Sequence, residues 1–277
     1  MTSPARALAA VALAACVAGS LTSSSHADTT SAAAVQLPPA NAVLDYQLGA
    51  AYPPPSGVNL VTRDSTASPA PGIYNICYVN GFQTQPADRS TWLNQRKHLL
   101  LEDSSGNPII DPNWPDEFLL DTSTAAKRTE LATIIGATID QCANKGFKAV
   151  EVDNLDSYLR SRGRLSVNNN LAYAKLLADR THSRGLAIGQ KNSSEQAERG
   201  RAEVGFDFAV SEECHRWEEC ASYSDVYGTH VMDIEYTDDL RGTFEDVCND
   251  PDTPATTTLR DRYLVGPGDS AYAFDHC

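Results

Sequence analysis

Ala149-Val150-Glu151-Val152-Asp153-Asn154-Leu155-Asp156 reads as an apolar strand that turns acidic as it ends. A helical pattern flanks it on each side. Upstream, 122–145 places Leu131, Ile134, Ile135 and Ile139 at helical spacing, and Gly146 stops the run. Downstream, 167–184 places Leu171, Ala174, Leu177, Ala178 and Thr181 on one face, stopped by Gly185. Ser193-Ser194-Glu195-Gln196 has capping-box spacing before a further short helix. Strand candidates recur at 43–48, 72–79, 147–152, 185–189, 206–210, 229–236 and 263–266, with a weaker one at 58–62. Strands alternating with helices imply parallel pairing through crossovers. About eight such units suit one (β/α)8 TIM barrel of the α/β class, a fold of typically ~250 residues, here a single domain over 41–277. An open doubly wound sheet is the alternative, disfavoured because no Gly-x-Gly-x-x-Gly follows a strand.

The 277 residues are 42% hydrophobic and 21% charged, too apolar for a disordered chain. The net charge of −14 excludes nucleic acid as the expected partner and favours a cationic or neutral ligand. Residues 1–27 have the layout of a secretory signal peptide: Arg6, a short apolar run, then Ser25-His26-Ala27 as a cleavage site. That run is too short for a transmembrane segment, and no other run approaches membrane length. Leu13-Ala14-Ala15-Cys16 also fits a lipoprotein box with Cys16 as the lipid carrier. Residues 28–40 read as a flexible leader. Six cysteines remain after Cys16: Cys77, Cys142, Cys214, Cys220, Cys248 and Cys277, an even number that suits export and disulfides. Cys214 with Cys220 closes a small loop. Cys248 with Cys277 and Cys77 with Cys142 complete the favoured pairing, one of about fifteen that six cysteines allow. No Cys-x-x-Cys or His-Glu-x-x-His occurs, so neither a metal nor another cofactor is expected.

The polar residues gather where strands end. Besides Asp153, Asn154 and Asp156, the ends carry Gln47, Asn80, Gln190-Lys191-Asn192, Glu212-Glu213 and Glu235-Tyr236. In a parallel barrel these ends share the face on which barrel enzymes place their chemistry. Several carboxylates with no Ser/His/Asp grouping and no metal spacing suit glycoside hydrolysis, which needs one protonated acid and one ionised carboxylate across the sugar. Tyr78, Tyr158, Tyr236 and Trp217 are candidates to stack on sugar faces. The competing reading is that the acids cap the helices that follow. His98, His182 and His230 are given no role.

The segment Gly146-Phe147-Lys148-Ala149-Val150-Glu151-Val152-Asp153-Asn154-Leu155-Asp156 resembles a signature of the endo-α-1,4-polygalactosaminidase family (glycoside hydrolase family 114). Gly189-Gln190-Lys191-Asn192, Phe206 through Cys214, Ile234-Glu235-Tyr236, Tyr46-Gln47-Leu48 and Ile76-Cys77-Tyr78 match it in the same order. The resemblance spans most of 43–240. It implies a TIM barrel that cuts α-1,4-linked galactosamine polymers without a metal. It carries the catalytic roles onto Asp153 and Glu235, with Asp153 as nucleophile or base and Glu235 as general acid, or the reverse. Gln47, Tyr78, Asn154, Asp156, Lys191, Asn192, Glu212 and Tyr236 are the expected substrate-binding residues. The chain departs from the family pattern at Asp45, at Val79-Asn80-Gly81-Phe82 and at Val152, where the family has proline. A cationic amino-sugar polymer also fits the acidic charge balance. The expected protein is thus a secreted, extracellular hydrolase. A non-catalytic carbohydrate-binding barrel and a hydrolase or transglycosidase of another α-linked glycan are the alternatives.

Overall fold

Nine strands follow one another around a single sheet in chain order. They are β1 (Leu44–Gln47), β2 (Leu60–Asp64), β3 (Tyr74–Asn80), β4 (Ala149–Asp153), β5 (Ala187–Lys191), β6 (Phe208–Glu212), β7 (Val231–Tyr236), β8 (Thr256–Arg260) and β9 (Phe274–His276). Strands β1 to β8 pair in parallel, and β9 runs antiparallel to β8. The computed structural model describes residues 1–2 and 35–277. Most of the expected signal segment 1–27, Cys16 with it, and the first part of the leader lie outside the described residues.

The helices are α1 (Arg89–Gln95), α2 (Ala125–Lys145), α3 (Ser157–Arg160), α4 (Val167–Ser183), α5 (Ala197–Arg199), α6 (Cys220–Tyr227) and α7 (Phe244–Asn249). The two long ones form where the sequence places them. Thr124 caps α2 by accepting from the Lys127 amide, and Gly146 ends it at φ 96°, a left-handed conformation glycine adopts without strain. Ser166 and Asn169 make a reciprocal capping box at the start of α4. The connections from β1 to β2 and from β2 to β3 contain no helix, so the helical ring is incomplete on that side.

Alternation along the strands builds two apolar layers. Leu44, Tyr46, Ile76, Phe208, Val210, Ile234 and Tyr236 fill the barrel interior. Val79, Val150, Val152, Ile188 and Ala209 face outward and pack with Leu131, Ile139, Leu171, Leu177 and other helix residues. Gly189 makes room for the buried Phe208 ring, since a Cβ there would sit 2.4 Å from it.

Closure between β1 and β8 uses side chains. The buried Arg260 guanidinium donates to Asp45 Oδ1 at 2.8 Å and to the Tyr46 carbonyl, and Thr256 Oγ1 accepts from the Ala42 amide at 3.0 Å. Disulfides join Cys77–Cys142, Cys214–Cys220 and Cys248–Cys277.

Three readings are corrected. Residues 263–266 form no strand but run irregularly out of the turn that Leu264 closes onto the Asp261 carbonyl, and the eighth strand is Thr256–Arg260, whose threonines disguise it as polar. Ser193 sits at φ 62°, ψ 57° and makes no side-chain cap, because a capping serine needs extended backbone. Residues 35–40 are not a free leader. Val35 and Leu37 pack against the barrel interior, and the Gln36 carbonyl accepts from Tyr74 Oη at 2.5 Å. Among the described residues no helix is long and apolar enough to cross a membrane.

Candidate active site

The C-terminal ends of the strands deliver Tyr46, Tyr78, Asp153, Lys191, Glu212 and Tyr236 to one lumen. Lys191 is its centre. Its ammonium donates to Tyr46 Oη at 2.7 Å and to Glu151 Oε1 at 2.8 Å, and lies 3.5 Å from Glu212 Oε2. Burial opposes this charge, but Asp153, Glu151 and Glu212 outweigh it and hold the Lys191 pKa well above the ordinary value. Lys191 is therefore a fixed cation.

Each carboxylate at the rim of the lumen is held by a tyrosine. Tyr78 Oη donates to Asp153 Oδ2 at 2.7 Å, and the Asn154 amide donates to Asp153 Oδ1 at 2.7 Å. Tyr236 Oη donates to Glu212 Oε1, and Asn192 Nδ2 reaches Glu212 Oε2 at 3.2 Å. Burial, with the neighbouring carboxylates, pushes both phenols far up, so each stays an O–H donor. For Glu212, burial works against ionisation. Lys191, Tyr236 and Asn192 outweigh it and hold the carboxyl below the usual range.

The sequence reading missed two acids here as site groups. Glu151 lies beneath the pair, fully buried, its Oε1 also accepting from Tyr46 Oη at 2.6 Å. Glu117, from the long β3–β4 connection, accepts from Asn80 Nδ2 at 2.9 Å, and Asn80 in turn accepts from Asn154 Nδ2. Burial raises the Glu117 pKa to about 7, with Asp153 and Asp111 adding to it against Asn80 and Arg160. No local motif marks Glu117, because only the folded β3–β4 excursion brings it to the mouth.

Four expected site residues lie elsewhere or serve another purpose. Glu235 is not beside Asp153. On β7 the residues facing the lumen are Met232, Ile234 and Tyr236, so period-two alternation turns Asp233 and Glu235 outward. Glu235 Oε1 accepts from the His215 and Arg216 amides, under the turn after β6. Gln47 likewise faces out of β1, where it bonds Asp45 and Arg63. Asp156 forms a two-pronged ion pair with Arg160. Asn154 is a bridging residue, between Asn80 and Arg160. Cys214, Cys220 and Asp233 come within 4.8 Å of one another, but both sulfurs are spent in a disulfide and offer no thiolate to a metal.

The family model for the description "Glycoside-hydrolase family GH114" matches residues 24–277. The chain belongs to that family. It is therefore a glycoside hydrolase, and two carboxylates at one barrel mouth suit that chemistry. Among solved structures, Aspergillus fumigatus Ega3 in complex with galactosamine is similar at TM-score 0.68 and 21% identity, covering 88% of this chain and 98% of that one. The glycoside hydrolase domain of Pseudomonas aeruginosa PelA is similar at TM-score 0.55 and 13% identity, covering 82% and 98%. Its E218A variant gives TM-score 0.57 and 12% identity over the same shares. These likenesses show that the GH114 member has a TIM-barrel fold. The comparison with curated proteins gives no match.

Proposed function

We propose that this GH114 hydrolase is secreted and cleaves α-1,4-linked galactosamine polysaccharide, with Asp153 and Glu212 as its two working carboxylates. The carrying observation is that Asp153 on β4 and Glu212 on β6 both face the Lys191 ammonium in one lumen, each held by a tyrosine. A glycosidase needs one carboxyl to protonate the leaving oxygen and a second on the other side of the sugar to attack or to activate water. Glu212 takes the place that the sequence reading gave to Glu235. Lys191 limits the repulsion between the two acids before substrate arrives.

The substrate class rests on charge and on likeness. The net charge of −14 and the three carboxylates around one lysine favour a sugar that carries ammonium groups. Ega3, the similar structure, was solved with galactosamine. The signal segment 1–27, cleavage after Ala27 and three disulfides support export, with lipidation at Cys16 as the other outcome of N-terminal mass spectrometry on the mature protein.

The test uses galactosamine oligomers and a panel of partly de-acetylated polymers. Asp153→Asn and Glu212→Gln should each cut the appearance of new reducing ends by about a thousandfold or more with the fold intact. Azide rescues the variant that lacks a nucleophile, and an activated leaving group rescues the one that lacks the acid. Parental rates from Glu212→Gln would refute the assignment. Binding without new ends would make the protein a lectin-like barrel, and cleavage of another glycan alone would change the substrate.

A further inference from the structure

The outward pair on β7 is buried and unused by the reaction above. Asp233 Oδ1 accepts from Ser211 Oγ at 2.7 Å and from the Cys214 amide at 3.1 Å. Glu235 Oε1 accepts from the His215 amide at 2.9 Å and from the Arg216 amide at 3.4 Å. The second oxygens, Asp233 Oδ2 and Glu235 Oε2, are buried and have no donor among the described residues. They belong to two fully buried acids two residues apart on β7, which places both on the same side of the strand. Two ionised carboxylates would leave both oxygens desolvated and repelling, whereas one proton between them supplies the missing donor.

The amides held by the pair are consecutive and begin two residues after Glu212. Between them, Glu213 turns the chain at φ 65° and accepts from Arg262 Nη2 at 2.7 Å. The Arg262 guanidinium lies 4.1 Å from the Tyr236 ring centroid, and Tyr236 is the phenol that donates to Glu212. The turn and the Glu212 carboxylate thus share one network.

We propose that Asp233 and Glu235 are positioning residues: a carboxyl–carboxylate pair sharing one proton, which clamps the turn after β6 and so fixes Glu212 without touching the sugar. This rests on Glu212 being one of the working carboxylates. Burial, and for Asp233 the neighbouring Glu235, pushes both carboxyls upward, Asp233 the further, and the two titrate as one unit. Glu213 and Tyr223 also face the pair. The His215 ring turns to Asp250 and Arg241, and the Arg216 guanidinium to Asp239. Among the described residues no side chain donates to either free oxygen to offset a second negative charge.

The test combines Asp233→Asn, Glu235→Gln and the double variant, read by amide hydrogen exchange at 214–216 and by turnover. An amide in either place supplies the N–H that replaces the shared proton. Each single variant should keep turnover within about threefold and keep the three amides protected. The double variant sets two amide donors face to face, and should lose about tenfold or more in both protection and turnover. In the parent, protection at 214–216 should fall as pH rises and the proton is lost, and in Asp233→Asn that fall in protection should be absent. Loss of turnover in Glu235→Gln with protection intact would make Glu235 a reacting group and overturn the proposal. A double variant with full protection would overturn it too. Hydrogen exchange reads the clamp whether or not Glu212 reacts, so a failed Glu212 assignment shows only in the Glu212→Gln assay.

Discussion

Lys191 Nζ lies 2.8 Å from Glu151 Oε1, and both side chains are sealed inside the barrel. One ammonium thereby serves a structural acid below it and two rim acids above it. Removing one partner of a buried ion pair leaves the other charge without compensation, at a cost of about 3–5 kcal/mol. Lys191→Met should destabilise the protein by about that much in urea unfolding. Lys191→Met with Glu151→Gln should recover part of the loss, because the stranded charge beneath the lysine is gone.

Tyr236→Phe tests the tuning of Glu212. The phenol donates to the ionised carboxylate, which favours the charged form. Without it the Glu212 pKa rises, so the step of the pH–rate profile that reports Glu212 should move to higher pH. Turnover should fall by about ten- to a hundredfold, the range of one lost hydrogen bond to a charged group. An unmoved profile would detach Tyr236 from Glu212 chemistry.

Glu117 predicts a pH dependence of stability. Its folded pKa of about 7 lies above the ordinary carboxyl value, with burial as the leading cause. Between the unfolded pKa, near 4, and that value the folded state holds the extra proton. Its contribution is complete below the unfolded pKa and is lost as pH rises to about 7. Glu117→Gln should flatten the fall in melting temperature across this window relative to the parent, measured by calorimetry.

The disulfides should differ in their effects. Cys77–Cys142 closes a span of 65 residues and Cys214–Cys220 one of only 6. On the chain-entropy argument, replacing the first pair by alanine costs about 4 kcal/mol and the second about 2 kcal/mol. The second loss should also reduce turnover, since Cys214 lies in the turn that follows Glu212. Denaturant unfolding and kinetics on the two double variants check both statements.

Much of this architecture was legible in residue order. The strand expected at 147–152 and found at 149–153, both long helices and the lumen residues Tyr78, Asp153, Lys191, Glu212 and Tyr236 follow from apolar runs, stop signals and motif matches. What did not follow was which side of a strand faces inward. On β7 Met232, Ile234 and Tyr236 alternate with Asp233 and Glu235, but both faces of a barrel strand are buried, so the alternation by itself does not say which set faces the lumen. The family resemblance puts the catalytic role on Glu235 and a binding role on Glu212, and the residue pattern holds nothing that would correct it. The eighth strand escaped because Thr256, Thr257 and Thr258 carry its buried positions, while the apolar Tyr263-Leu264-Val265 drew attention to a stretch that forms no strand. Glu117 depends on a long excursion between β3 and β4 whose path no short pattern specifies.

The junction that Arg260 makes between β1 and β8 gives the barrel a preferred line of failure. Neighbouring strands elsewhere are zipped by main-chain bonds, whereas this edge depends on side chains and one guanidinium. Under heat or force the cylinder should part there first, like a sleeve along its stitching. Asp153 and Glu212 ride on β4 and β6, across the wall from that edge, so the reacting half can stay assembled while the far side frays.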